Sequence, residues 1–575
     1  MMELSAEQQD VVGAPLAPLC VIACAGSGKT RTAVHRLAEL RRRIDTHRGR
    51  VALLSFSNVA VDTFRTSYAA LASRLPTTTA RSRVEIDTVD GFITSHVLRP
   101  HAHRSMGATK AAYLVSGEEP FLQGFTIPAK PFPQAISSLR VGLKNGAYHF
   151  FYTYFEAVTE LDGPASLKLI QRLAQTGAYT HELGRYWCLR TLQEQPELLR
   201  VLAHRYPHIL VDESQDIGAL HRAILDLLAA AGSQITLIGD PNQGIYEFAG
   251  ADGDYLASHA KQPNVKVYEL TRNYRSIPAI TTIANALSAR SDETERAHRT
   301  APHGAYVVPY ASGKENALLS RFGVALTTAG LRPANSAVVC RAIKLAGELS
   351  GVGTPVGVGA IKGLAKAAIL RDERQDYLRA FQQVAGVVAT LLAKPPAGFV
   401  AQVSQPERYP DMVVARRLIW AFTRSPETGL PSAALPADTE WHPQLCLRLR
   451  ALLAALASSA GLATGENLGQ RLAKKGLDSN PVFTLTEGKG GDAPLRIDTV
   501  HQVKGESLDG VLYIATKPQI EALLAGVGTE EGRIGYVAVT RATDLLWLGV
   551  PEAAFVTLRP RLLERGFAEL SDGPG

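Results

Sequence analysis

Residues 19 to 32 read Leu-Cys-Val-Ile-Ala-Cys-Ala-Gly-Ser-Gly-Lys-Thr-Arg-Thr, and no other stretch restricts the fold as much. The apolar run from Leu19 to Ala23 has the length of a buried strand, breaks into small residues, and resumes as a helix at Lys29-Thr30. Strand, glycine-rich loop and helix in that order form a phosphate cradle. Gly26 and Gly28 can adopt backbone angles closed to other residues, so successive N–H groups can face an anion at the positive end of the helix. Lys29 would add a full charge for β- and γ-phosphates, and the Thr30 hydroxyl a ligand for Mg²⁺. Ala23 stands where the strict pattern has glycine, so the match is one residue short.

A chain of 575 residues is too long for one core and suits roughly three to five domains. With 46% hydrophobic and 20% charged residues it has the balance of a globular protein. Cysteines at 20, 24, 188, 340 and 446 form no Cys-x-x-Cys unit, which argues against a disulfide framework or a zinc or iron–sulfur site and fits a reducing cytoplasm. The N-terminus lacks a signal shape, and no apolar run approaches the ~18 residues of a membrane span, so the expected location is cytoplasmic. A net charge of +7 and a pI near 9.0 are consistent with a polyanionic partner. Short clusters such as Arg41-Arg42-Arg43 read as solvated helix faces.

Leu4-Ser-Ala-Glu-Gln8-Gln9 has the spacing of a helix start, and a glutamine amide beside a phosphate loop offers the donor and acceptor that an adenine edge requires. Strands follow at Val51 to Asn58, ending in small polar residues, and at Val84 to Ile86, with a helix from Ala60 to Leu75 between them. Such alternation builds a parallel sheet whose binding edge lies at the strand C-termini, which places Phe56, Ser57, Asn58 and Thr88 there. Residues 93 to 200 read as a mostly helical insertion. The sheet resumes with Tyr206-Pro-His-Ile-Leu-Val-Asp212-Glu213 and delivers Asp212 and Glu213 to its edge, one acid for Mg²⁺ and the next for the attacking water. Gln234 to Asp240 repeats that layout and leads to Gln243, Tyr246 and Phe248, the last two suited to core packing or to stacking on bases. Val267 to Ser276 reads as the start of a second sheet unit, with strands at Ala337 to Arg341, from Arg496 and from Ile534 to Ala542. A second helical insertion, 345 to 490, interrupts it.

These blocks, in this order from 4 to 542, resemble the UvrD/Rep/PcrA-like helicases of superfamily 1. The resemblance implies an α/β fold of two RecA-like parallel-sheet motor domains, each with a mainly helical insertion. The boundaries expected are 1–92 and 201–262 for the first motor around insertion 93–200, and 263–344 and 491–575 for the second around insertion 345–490. It further implies that Ala25, Gly26, Ser27, Gly28, Lys29 and Thr30 cradle ATP, with Gln8 and Arg31 at the adenine and Tyr274 stacked on it. Thr30 and Asp212 would hold Mg²⁺, Glu213 would be the general base, and Gln243 would sense the γ-phosphate. Arg275 and Arg541 would be arginine fingers from the second motor, a task suited to a planar, permanently charged fork. Glu506 would meet the ribose, and Phe56, Asn58, Thr88, Tyr246, Phe248 and His501 would contact the strand. The chain departs from the family in three places: Ala249 replaces an arginine, Asp90 replaces a histidine, and Glu506 lies one position early.

The expected activity is an ATP-driven 3′-to-5′ translocase and helicase on single-stranded and tailed duplex DNA, with Mg²⁺ as cofactor. The alternative is an ATP-hydrolysing regulatory or sensor subunit that binds nucleic acid and controls a partner nuclease, as in two-component phage defence. The short tail after Ala542 argues against a fused nuclease, a repair protein stays open as a partner, and an RNA substrate stays open because backbone tracking reads little sequence.

Overall fold

The computed structural model describes residues 3–44, 49–73, 83–115, 119–129, 133–144, 146–154, 157–246, 254–349, 356–372, 375–396, 398–405, 409–483 and 495–570. Two six-stranded parallel sheets dominate it. The first has the order Lys266–Leu270, Leu19–Ala23, Gln234–Gly239, His208–Val211, Val51–Ser55, Val84–Thr88. Its central strands are buried on both faces, which is why they read as continuous apolar runs. On one face Val21, Val51, Leu53 and Leu210 pack against Val34 and Leu37 of helix Lys29–Arg43 and Phe64 of helix Asn58–Ala72. On the other, Cys20, Leu54 and Val211 share a core with Leu183 and Trp187 of helix His181–Glu194, so the first insertion is packed onto its motor sheet.

The second sheet runs Arg496–Thr499, Ala337–Cys340, Leu508–Ile514, Ala542–Pro551, Gly304–Tyr310, Ala568–Glu569, also parallel. The second insertion is helical, with helices including Ala360–Asp372, Tyr377–Leu391, Val413–Arg424 and His442–Ala460 around a core of its own. Among the described residues no helix is long and apolar enough to cross a membrane.

Three expectations are corrected. The strand at 267 belongs to the first sheet: Leu19–Ala23 has an open edge, and Lys266–Leu270 fills it in register along five residues. The motor boundary expected at 263 therefore falls after Leu270. Residues 534 to 541 form a helix, Glu530–Arg541, and the strand starts only at Ala542. Thr529 caps that helix, and burial from Ile534 through Arg541 removes the polar face that would have betrayed its period. The first insertion also contains an antiparallel sheet of Arg140–Lys144, Ala147–Tyr154 and Ala157–Glu160, where aromatic and β-branched residues concentrate. Phe248 and Ala249 lie outside the described residues, as does the loop from 486 to 494.

Candidate nucleotide cleft and adjoining groove

The phosphate loop is fixed from both sides. Cys24 N–H donates to the Leu270 carbonyl at 2.9 Å, and Ser27 Oγ donates to the Cys24 carbonyl at 2.9 Å. Gly26 and Gly28 sit at φ 75° and 78°, the left-handed region that favours glycine. A Cβ on Gly26 would lie 2.6 Å from Arg275 Cβ, and one on Gly28 would lie 2.8 Å from Gln8 Nε2. Gln8 completes a capping box with Ser5, accepting from its N–H at 3.2 Å, and donates through Nε2 to the Ser27 carbonyl at 3.0 Å. Both ends of its amide are thus engaged in bracing the loop.

In front of the loop lies a cleft of about 380 Å³. The first lobe contributes Gly26 to Thr30, Glu213 and Gln243; facing them are Tyr274, Arg275, Arg296, Ser507, Arg541 and Thr543. Tyr274 is drawn in by its N–H, which donates to the Gly26 carbonyl at 2.9 Å. Gln8, Ala25, Arg31 and Glu506 are outside this lining. The Glu506 carboxylate accepts from Arg496 at 2.6 and 2.9 Å and borders the neighbouring groove.

The adjacent acids differ in state. Burial, reinforced by Glu213, pushes the Asp212 carboxyl up to about 7. Its Oδ1 is buried and accepts no hydrogen bond among the described residues. Burial also opposes the Glu213 carboxylate, but Lys29, Lys504, the Gln215 amide and Arg541 outweigh it and hold Glu213 below its ordinary value. Glu213 sits at φ 51°, a strained angle for a side-chain-bearing residue. An orphaned acidic oxygen on Asp212, which lines the same groove as Thr30, and a glycine cradle fit a nucleotide with a divalent cation.

Hydrogen bonds tie the loop 243–246 of the first lobe to the second. Arg541 Nη2 donates to Gln243 Oε1 at 3.1 Å, and Lys504 Nζ to the Gln243 carbonyl at 2.7 Å. Arg533 Nε donates to the Gly244 carbonyl at 2.6 Å, and His501 Nε2 lies 3.1 Å from the Ile245 carbonyl. Ile245 itself is fully buried in the core of the second lobe. Lys504 also forms a buried ion pair with Asp216, at 2.6 and 2.8 Å. Arg275 and Arg541 have no carboxylate at ion-pair distance among the described residues; Arg275 Nη1 donates to the Thr540 carbonyl at 3.0 Å. Burial, then the nearby Arg541, lowers Arg275 to about 9.

A groove of about 650 Å³ adjoins the cleft at Thr30, Glu213 and Ser507. It brings Phe56, Tyr246 and His501 together. The Tyr246 ring lies edge-on to His501 at 5.7 Å, with Lys504 Nζ 4.7 Å over its face. Asn58 and Thr88 are outside the groove lining; Asn58 opens a helix, and the Thr88 hydroxyl caps another by accepting from Gly91 N–H at 2.9 Å. Asp90 accepts from Arg185 at 2.9 and 2.7 Å and lies 2.8 Å from His221 Nε2. His221 in turn meets the Phe56 ring at 5.7 Å, so Asp90 braces the groove wall from behind.

Sequence reading gave no role to Lys504 in the groove or to Arg296, Ser507 and Thr543 in the cleft. Lys504 and Ser507 sit in a recognisable block, whereas Arg296 carries no local signal.

A family model described as the UvrD/REP helicase N-terminal domain matches residues 4–130 and 144–264. The chain is similar to the ATP-dependent DNA helicase UvrD2 of Mycobacterium tuberculosis, 24% identical over 596 residues that cover 94% of this chain and 77% of the relative. DNA helicase II of Escherichia coli is 27% identical over 305 residues, 49% of this chain and 40% of its own length. ATP-dependent DNA helicase PcrA of Staphylococcus aureus is 25% identical over 312 residues, 50% and 40% respectively.

Proposed function

We propose that the chain is a UvrD-like protein of helicase superfamily 1 and, on that premise, an ATP-dependent DNA helicase that moves 3′-to-5′ along a single strand. The observation that carries the reading is the cleft itself: Lys29, Thr30 and Glu213 face Arg275 and Arg541 across one cavity.

In this reading the N–H groups of residues 26 to 30 and the Lys29 ammonium bind the β- and γ-phosphates, and Tyr274 stacks on the base. Gln8 braces the loop from behind, with its amide already engaged. Thr30 and Asp212 would hold Mg²⁺, which supplies charge neutralisation at the phosphates. Glu213, kept ionised, takes the proton of the attacking water. Arg275 and Arg541 stabilise charge on the transferring phosphoryl group; such arginines are worth roughly 10³–10⁵ in rate.

Arg541 shares Gln243 Oε1, so a change in its partner as phosphate leaves is felt at once by the 243–246 loop. That loop ends in Tyr246, on the wall of the groove, where Phe56, Tyr246 and His501 would meet successive bases. Cleft closing and opening then become strand movement.

Lys29→Ala and Glu213→Gln should each abolish ATP turnover, with nucleotide binding kept in Glu213→Gln. Strand-displacement assays on 3′-tailed, 5′-tailed and blunt duplexes test the rest. Displacement of the 3′-tailed duplex alone is expected. ATP turnover stimulated by DNA without displacement of any duplex would favour a regulatory subunit acting on a partner nuclease.

A further inference from the structure

Arg275 sits on a short segment, 272–276, which Ser276 Oγ already ties to the strand Ala542–Pro551 by donating to the Ala542 carbonyl at 2.7 Å. It is laid parallel to a second short segment, with Arg272 and Asn273 opposite Glu293 and Thr294. Thr294 Oγ1 donates to the Ser276 carbonyl at 2.7 Å, and Glu295 N–H to the Asn273 carbonyl at 2.9 Å. Arg296, next in that segment, reaches across: Nη1 donates to the Arg275 carbonyl at 3.1 Å and Nη2 to Asp544 Oδ1 at 2.6 Å. Asp544 is held in turn by the Thr543 hydroxyl, at 2.9 Å from Oδ2, while Thr543 accepts from Ile277 N–H at 3.0 Å through its carbonyl.

Three arginines therefore line the cleft from one side, and they differ in commitment. Arg275 and Arg541 have no carboxylate partner among the described residues, whereas Arg296 is ion-paired with Asp544, whose Oδ1 Arg299 also approaches at 3.5 Å. A guanidinium with its charge satisfied and one donor on a backbone carbonyl is built to hold a position.

We propose that Arg296 is a positioning residue for Arg275: anchored on Asp544, it clamps the Arg275 carbonyl to the strand Ala542–Pro551 and so fixes where the Arg275 side chain enters the nucleotide cleft. The inference rests on the ATPase reading above.

The test is a double-mutant cycle on the full chain, measuring ATP turnover with saturating single-stranded DNA and binding of a fluorescent ATP analogue. Arg296→Ala should lower kcat about 10- to 100-fold, the scale of a misplaced catalytic group, with analogue affinity changed only a few-fold. Arg296→Lys should restore part of the loss, and Asp544→Asn, which keeps the volume, should reproduce it. In an Arg275→Ala background, Arg296→Ala should have no further effect, because the two act as a unit. Losses that multiply in the double variant would overturn the clamp and leave the ATPase reading intact. Wild-type turnover in Arg296→Ala, or a loss confined to affinity, would also overturn it. Wild-type turnover in Arg275→Ala would defeat both the clamp and the assignment of Arg275.

Discussion

Asp212 and Glu213 are neighbours in sequence with opposite electrostatic fates, and the difference comes from what each one faces. Glu213 looks toward Lys29, Lys504 and Arg541, while Asp212 is buried with an unpartnered oxygen. The Asp212 value of about 7 lies above its ordinary 3.8, so between those pH values the native protein binds more protons than the unfolded chain. The stability contribution of this side chain therefore falls as pH rises through that window. Asp212→Asn should lose ATP turnover yet melt at a higher temperature than the parent without nucleotide or metal, with the gap wider at pH 7.5 than at pH 5. An equal or lower melting temperature at both values would contradict this. The placement of Lys29, Thr30, Asp212 and Glu213 at one sheet edge was legible in the sequence because each follows a short apolar strand run. The left-handed backbone of Glu213 and the bracing role of Gln8 were not, since both are set by tertiary neighbours.

At the scale of elements, the loop 243–246 is the join between lobes, because Ile245 belongs by sequence to one lobe and by packing to the other. Truncating a buried isoleucine to alanine typically costs about 2–5 kcal/mol. Ile245→Ala should weaken the grip between lobes and reduce the stimulation of ATP turnover by single-stranded DNA, with turnover in its absence largely kept. Full stimulation in that variant would contradict a coupling role. The strands Leu19–Ala23, Val51–Ser55 and His208–Val211 were legible because each is a short apolar run closed by small polar or acidic residues. Helix Glu530–Arg541 was not, because burial on all sides gives it the texture of a strand. Arg296 reaches the cleft through the parallel pairing of two-residue strands, which leaves no pattern to read.

At the scale of the molecule, a net charge of +7 spread over 575 residues gives a modest overall field, so the proposed strand binding falls to the groove. Phe56→Ala and Tyr246→Ala should each weaken single-strand binding by about 1–3 kcal/mol, the cost of a lost stack. Affinity should fall steeply with salt, with nearly the same slope in these variants as in the parent, since neither changes a phosphate contact. A slope that flattens in either variant would contradict a stacking role. In the proposed reading the two sheets are halves of one nucleotide site, the first lobe holding the phosphates and the second supplying positive charge. ATP turnover of Arg541→Ala, measured beside its ATP affinity, tests this most directly. The account predicts a loss in kcat of about 10³-fold or more with affinity nearly kept, and turnover at the parent rate would contradict it.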